Sequence, residues 1–191
     1  DDPNYMAYLQ LSFDNNKKTK EVVIDRHGFK TTTIYNENGL ILKKIDANNQ
    51  YEQMTYDTYG NLLTYRDKRG FVTTHHYDTY NGILVLNKSI DPLGNEMVYS
   101  YYALNEINPG TSIPIKFKGM IKEIHENMKS RNGSLIKDFK VTQYRYANQY
   151  NQRSHIIVSA DRKNLTTQEI RDDAGRLTEV INPKGYHTKY Q

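Results

Sequence analysis

The sequence predicts an all-β chain built of repeated antiparallel β-hairpins, interrupted by one non-repeat insertion. Three observations predict it. Asp25, Asp46 and Asp67 recur every 21 residues, and so do Tyr35, Tyr56 and Tyr77. Each Asp is followed three residues later by Gly28, Asn49 or Gly70, and each Tyr four residues later by Gly39, Gly60 or Asn81. Tyr is also the dominant large residue, with 17 in 191. A Tyr ring fills space while its hydroxyl stays wet, which suits half-solvated β-surfaces better than a dry core.

The turn positions follow from backbone chemistry. Asp at the first turn position accepts hydrogen bonds from the backbone just after it. Pro92 and Pro183 stand second, where a φ near −65° is needed. Gly stands fourth, where the chain turns left-handed, and Asn49 is the next best choice there. Between turns lie β-branched and aromatic runs such as 71–77, read as strands of about seven residues. Ile41 and Leu62 stand six residues after Tyr35 and Tyr56, and Leu177 six after Arg171. Those positions mark the buried face of the second strand, because a one-residue slip would turn it outward.

The register continues at Asp91, Gly94 and Tyr101 after a spacer three residues longer, and returns at Asp161 and Asn164. It ends in Arg171, Gly175, Asn182 and Gly185, with Arg171 where Tyr is expected. Leu9, Leu11 and Phe13-Asp14 read as a degenerate first unit, so both ends look cut through a continuing array. A single 21-residue unit has too few apolar side chains to offset the entropy of ordering it. Stability must come from neighbour stacking on neighbour.

The organisation expected is repeat hairpins over 1–101, a non-repeat insertion over 102–145, and repeat hairpins again over 146–191. Within the insertion Asn108-Pro109-Gly110 reads as a turn, and Ile113, Ile115 and Phe117 alternate like a strand. Met120–Met128 is open between a strand and a short helix, since Ile121, Ile124 and Met128 also fit one helical face. Asn132-Gly133 is the strongest two-residue hairpin signal, and the strand-like run 135–146 follows it. A long hairpin projecting from the array is favoured over a helix; the insertion is where a partner contact would sit if there is one, but a decorated loop is favoured over a specific site.

Composition narrows the function classes. Hydrophobic residues make up 37% and mean hydropathy is −0.84, low for a compact globule, yet 12% aromatic residues argue against disorder. The formal charge of +4 is dispersed among acids, which argues against nucleic acid as a partner. Lys17-Lys18-Thr19-Lys20 is the one short basic run, read as a hairpin tip. With no Cys there is neither disulfide framework nor thiolate metal site. No apolar run is long enough for a membrane-spanning helix.

No catalytic, cofactor-binding or metal-binding residue is assigned, and no cofactor is expected. His75 and His76 adjoin on a strand and so face opposite ways, and no other His pair has ligand spacing. Asp172-Asp173 lacks the alternate spacing of a calcium loop. The repeat Asp residues already have turn roles, so the expectation is a chain that is not an enzyme. Asn87, Asn132 and Asn164 stand in glycosylation sequons, at a frequency an Asn-rich chain supplies by chance.

The run Tyr56-Asp57-Thr58-Tyr59-Gly60-Asn61-Leu62, followed by Asp67-Lys68-Arg69-Gly70, resembles the YD (Rhs) repeat of bacterial Rhs and Tc-toxin shell proteins and of teneurins. Tyr77-Asp78 through Asp91-Pro92-Leu93-Gly94-Asn95, and Asp173-Ala174-Gly175-Arg176-Leu177, look like further copies. The resemblance covers 23–101 and 146–190 and hardly touches the insertion. It implies a section of a spiral β-sheet shell, in a secreted or surface-displayed bacterial protein that encloses a toxic C-terminal domain. The partners it implies are the remaining repeats, that encapsulated domain and a Tc-type subunit. Surface adhesion through a glycan ligand is the alternative. The family's self-cleaving core, translocation region and cargo have no counterpart in these residues, so the expected role is wall rather than toxin.

Overall fold

The computed structural model describes residues 8–109, 112–130, 132–147, 152–160, 163–172 and 174–190. They form fifteen strands and no helix, all paired antiparallel, with strand order equal to chain order. Cα packing divides the chain into two compact units, one ending at His75 and one beginning at His76.

The first unit holds β1 (Tyr8–Asp14), β2 (Lys17–Ile24), β3 (Lys30–Tyr35), β4 (Ile41–Ile45), β5 (Tyr51–Tyr56), β6 (Leu62–Arg66) and the start of β7 (Val72–Tyr80). The Asp25 turn shows how each repeat turn is built. Gly28 N–H donates to the Asp25 carbonyl (2.9 Å) and Asp25 N–H to the Phe29 carbonyl (3.0 Å). The Asp25 carboxylate accepts from His27 N–H (2.8 Å) and Phe29 N–H (3.0 Å). This is a three-residue hairpin loop whose last residue is left-handed and forms a bulge, locked by an Asx side chain. Asn36, Asp46, Asp57 and Asp67 repeat the pattern in this unit, and Asp91 and Asn182 in the second. The 21-residue period of the sequence therefore contains two such turns.

The left-handed position explains the Gly and Asn choices. Gly39 has φ +79° with nothing within 4 Å of where a Cβ would stand, while Asn49 holds the same position at φ +61°. Gly39→Ala meets backbone strain alone and is expected to cost about 1–2 kcal/mol. Gly39→Asn should cost clearly less, and urea unfolding of the two variants gives the comparison.

Little in this unit is dry. Val22 is its one buried apolar side chain among the described residues, beside buried Thr32 and Thr33. One row on one face runs Val22, Thr32, Ile45, Tyr51 across β2–β5. There Lys43 Nζ lies 3.7 Å and the Arg66 guanidinium 4.4 Å from the Tyr51 ring centre. The opposite face carries Glu21, Thr33, Lys44, Glu52 and, on β6, Tyr65. Tyr65 donates to Glu52 at 3.1 Å. Cross-strand pairs of opposite charge and cation–π contacts thus take the place of a core, which accounts for the low hydropathy.

The second unit holds the end of β7, β8 (Ile83–Ile90), β9 (Glu96–Tyr101), β10 (Ile121–Lys129), β11 (Leu135–Ala147), β12 (Gln152–Ala160), β13 (Lys163–Arg171), β14 (Leu177–Ile181) and β15 (His187–Lys189). Its apolar row is Tyr99, Ile124, Thr142, Val158, Leu165. Residues 121–129 are strand, not helix. The hairpin β10–β11 does not project: β10 also pairs with β9 and β11 with β12, so it takes ordinary places in the strand order. What lies outside the strands is 102–120, where Ile107 bridges to Pro114. The alternation expected of Ile113, Ile115 and Phe117 fails, since Ile115 is fully buried and Phe117 is exposed.

Several turns differ from the sequence-based expectation. Lys17–Lys20 belong to β2, and the tip before them is Asn15-Asn16, both left-handed at φ 47° and 63°. Asn132-Gly133 is not a two-residue hairpin. Gly133 N–H donates to the Ser130 carbonyl and Ser130 N–H to the Ser134 carbonyl, which is the repeat turn with Ser130 at its head. Asn81-Gly82 is a two-residue tip like Asn15-Asn16, because β7 runs three residues past Tyr77. The strand expected at 71–77 is Val72–Tyr80. Asn164 lies in β13, paired with Ser159, rather than in a turn. Asp161, Asp173 and Gly110, read from the sequence as turn residues, lie outside the described residues.

Candidate functional site

The repeat Tyr acts as a clamp in three places. At Tyr35, Tyr56, Tyr146 and Arg171 the register slips by one residue on the next strand, so these residues stand opposite Ile41, Leu62, Arg153 and Leu177. A bulge of this kind locally bends and twists the strand that carries the extra residue. The Tyr56 hydroxyl donates to the Ile41 carbonyl (2.9 Å), Tyr101 to Leu86 (2.7 Å) and Tyr146 to Ile121 (2.9 Å). Each bond ties an odd-numbered strand to the even-numbered strand before it. Arg171, the apparent exception, makes an equivalent tie, its Nε–H donating to the Arg153 carbonyl at 3.2 Å. Burial pushes the Tyr56 and Tyr101 hydroxyls above the usual phenol range, and Tyr146 to about 12, so all three remain donors at physiological pH. Tyr56→Phe is expected to cost roughly 1 kcal/mol, the net worth of one hydrogen bond. Hydrogen exchange should show the loss in β4 and β5 first.

The 102–120 segment carries the three most deeply buried side chains among the described residues. Tyr102, Asn108 and Ile115 are essentially inaccessible. Nested backbone bonds close it: Tyr102 N–H to the Met120 carbonyl, Asn105 N–H to Ile115, Ile115 N–H to Glu106. It is pinned to β11 from both directions. Tyr102 donates to the Tyr144 carbonyl (2.9 Å), and Tyr146 N–H donates to Asn108 Oδ1 (3.2 Å). The Tyr102 and Tyr146 rings meet edge-to-face at 5.9 Å, a favourable aromatic geometry. Glu106 accepts from Ala103 N–H (3.0 Å) and from Lys122 Nζ (2.6 Å), and the Lys122 bond above all holds its carboxyl below the usual range.

Close by lies a groove of about 410 Å³ whose walls include Asp78, Tyr80, Tyr99, Tyr101 and Lys122. The Tyr80 and Tyr101 rings stand 6.2 Å apart within it, inclined by 39°. Its chemistry is that of aromatic faces edged by hydrogen-bonding groups. A second polar cluster sits on β12 and β13. The Glu169 carboxylate, 8% exposed, accepts from Arg153 Nη2 (2.7 Å) and Arg171 Nη2 (3.0 Å). Burial works to raise its pKa, but the two guanidinium groups more than offset this and hold it low.

The histidines are dispersed. His27 lies in an exposed turn, and His75 and His76 in β7. His125 contacts Glu123 (2.9 Å), and His187 contacts Glu179 (2.7 Å). The His155 pKa is lowered, first by burial and then by the Arg145 charge. Among the described residues no group of three or more His, Cys, Asp or Glu could hold a metal ion. No helix there is long and apolar enough to cross a membrane. Of the sequons, Asn87 lies in β8 and Asn132 in an exposed turn, while the Asn164 side chain is outside the described residues. The carbonyl-clamping role of Tyr and Arg171 is the feature that residue patterns alone do not disclose.

No family model matches the chain, and no curated protein matches it. Among solved structures it is similar to a TcdB2–TccC3 complex without its hypervariable C-terminal region (TM-score 0.33, 12% identity, 96% of this chain and 14% of that one). It is also similar to a mutant Tc holotoxin pore of Photorhabdus luminescens (TM-score 0.33, 13% identity, 96% of this chain and 12% of that one). A porin-like protein from Bacteroides uniformis gives a TM-score of 0.37 at 15% identity, over 92% of this chain and 62% of that one. The chain therefore spans only a small part of the toxin chains and less than two thirds of the porin-like protein. Likenesses this distant carry no functional weight, and the chain's own hairpins must supply it.

Proposed function

We propose that the chain is a wall segment: a β-shell section of a secreted bacterial toxin of the Rhs/Tc type, enclosing a toxic C-terminal domain and turning over no substrate. One observation carries the reading. The same Asx-locked turn recurs at Asp25, Asn36, Asp46, Asp57, Asp67, Asp91 and Asn182, and a Tyr or Arg clamp ties each of β5, β9, β11 and β13 to its predecessor. An array bonded only neighbour to neighbour has no globular centre and extends by adding units. Mixed polar and aromatic side chains on both faces suit a sheet that meets water or cargo on either side. The Glu106 and Glu169 carboxylates are held ionised by basic partners, the opposite of a poised general acid.

Limited proteolysis of the natural-length gene product tests the proposal. A wall predicts that the C-terminal segment survives protease until the shell is unfolded by denaturant. Cleavage of that segment under native conditions, at the rate of an exposed linker, rejects enclosure. The Tyr-lined groove favours a second reading, a surface module that binds glycans through Tyr80 and Tyr99. Glycan binding abolished by Tyr99→Ala, with unfolding unchanged, would support that reading instead.

A further inference from the structure

We infer that Asn81 is a site of spontaneous backbone modification, an Asn-Gly pair that the fold leaves open to deamidation while protecting the other two. The chain contains Asn38-Gly39, Asn81-Gly82 and Asn132-Gly133. In the reaction the glycine amide nitrogen, on losing its proton, attacks the Asn side-chain Cγ. A C–N bond forms, the side-chain amide leaves as ammonia with that proton, and a succinimide ring results. Water then opens the ring to Asp or to isoaspartate. No oxidant or cofactor is needed, so the rate depends on the freedom of the glycine N–H and of the Asn backbone.

The three pairs differ in both respects. Gly39 N–H is held by the Asn36 carbonyl at 3.0 Å, and Gly133 N–H by the Ser130 carbonyl at 2.9 Å. The Asn36 side chain also fixes Asn38 N–H (3.0 Å) and Leu40 N–H (2.9 Å). Asn132 Oδ1, next to its own reacting carbon, is engaged by Ser130 Oγ and by Ser134 N–H. Gly82 N–H takes part in no such turn bond, and the nearest preceding Asx side chain, Asp78, accepts from Thr79 N–H (2.8 Å), before the tip and not across it. Asn81 and Gly82 are both left-handed, at φ 50° and 71°, in a two-residue loop. A loop held only by its flanking strands opens at low cost, which lets the Asn backbone rotate into line. A cation stands near as well: Lys118 Nζ is 3.6 Å from where a Gly82 Cβ would be. Its positive charge favours the deprotonated amide that performs the attack.

The product alters the structure at a defined place. Isoaspartate inserts an extra backbone carbon into a tip that tolerates only two left-handed residues, so the β7–β8 hairpin loosens. Asp instead adds a carboxylate within reach of the Lys118 segment.

The test ages the folded chain in mildly alkaline buffer and maps peptides for ammonia loss and isoaspartate at all three pairs. Asn81 should convert at least about fivefold faster than Asn38 or Asn132, the factor that one hydrogen bond in the turn sustains. In denaturant the three rates should converge. Asn36→Ala, which removes the side-chain lock on the Asn38-Gly39 turn, should raise the Asn38 rate toward that of Asn81. Equal rates in the folded chain overturn the inference. So does a preference for Asn81 that persists in denaturant, because the fold would then not be its cause.

Discussion

Tyr102→Ala should destabilise the second unit by about 3–5 kcal/mol, the range for deleting a buried aromatic ring. Tyr102 is 2% exposed, its hydroxyl is bonded to the Tyr144 carbonyl, and its ring meets Tyr146 edge-to-face. The truncation therefore opens a cavity, loses the aromatic contact and removes the main pin between 102–120 and β11. Tyr102→Phe keeps the ring and should cost roughly 1 kcal/mol. The pair of variants separates packing from hydrogen bonding. Hydrogen exchange should report the loss in β10, β11 and the 102–120 segment, with β2–β5 in the other unit unchanged. Equal cost for the two variants would assign the stabilisation to the hydroxyl instead of the ring.

The second large effect is electrostatic. Glu169 is nearly inaccessible and bonded to two guanidinium groups, but Arg153 is 42% exposed and Arg171 24%. Solvent at the Arg153 end weakens the pairing, so Glu169→Gln should cost about 1–2 kcal/mol at neutral pH, toward the low end for charged hydrogen bonds. The direction with pH follows from the lowered carboxyl. The folded pKa lies below the unfolded one, so the stabilisation is fully present above the unfolded value of roughly 4.3. It is lost as pH falls through the folded pKa. Urea midpoints of parent and Glu169→Gln should differ at neutral pH and converge on acidification. A gap independent of pH would show that Glu169 acts through shape and not through charge.

How far the sequence discloses this fold depends on the range over which each feature is determined. The turns are legible because their demands are local: an acceptor at Asp25 or Asn36 and a left-handed residue at Gly28 or Gly39 lie within a few positions of each other. Asn132-Gly133 misleads because the same dipeptide serves two kinds of turn, and only the backbone bonds between Ser130 and Gly133 and between Ser130 and Ser134 distinguish them. The 121–129 strand resists reading for a physical reason. Register slips between Ile121 and Glu123 and between Glu126 and Met128 shift the alternation twice, leaving a spacing that mimics a helical face. The clamps are invisible in the sequence because they depend on carbonyls 15 or more residues away. Arg171 therefore looks like a lapse in the repeat, when its guanidinium preserves the bond that Tyr makes elsewhere.

Electron cryomicroscopy of the natural-length gene product is the decisive measurement for the wall reading. The expected result is a continuous wall containing these hairpins, each clamped to the one before, with polypeptide density enclosed by it. Density showing the hairpins as a separate lobe, with nothing enclosed and the Tyr-lined groove facing bulk solvent, would contradict it.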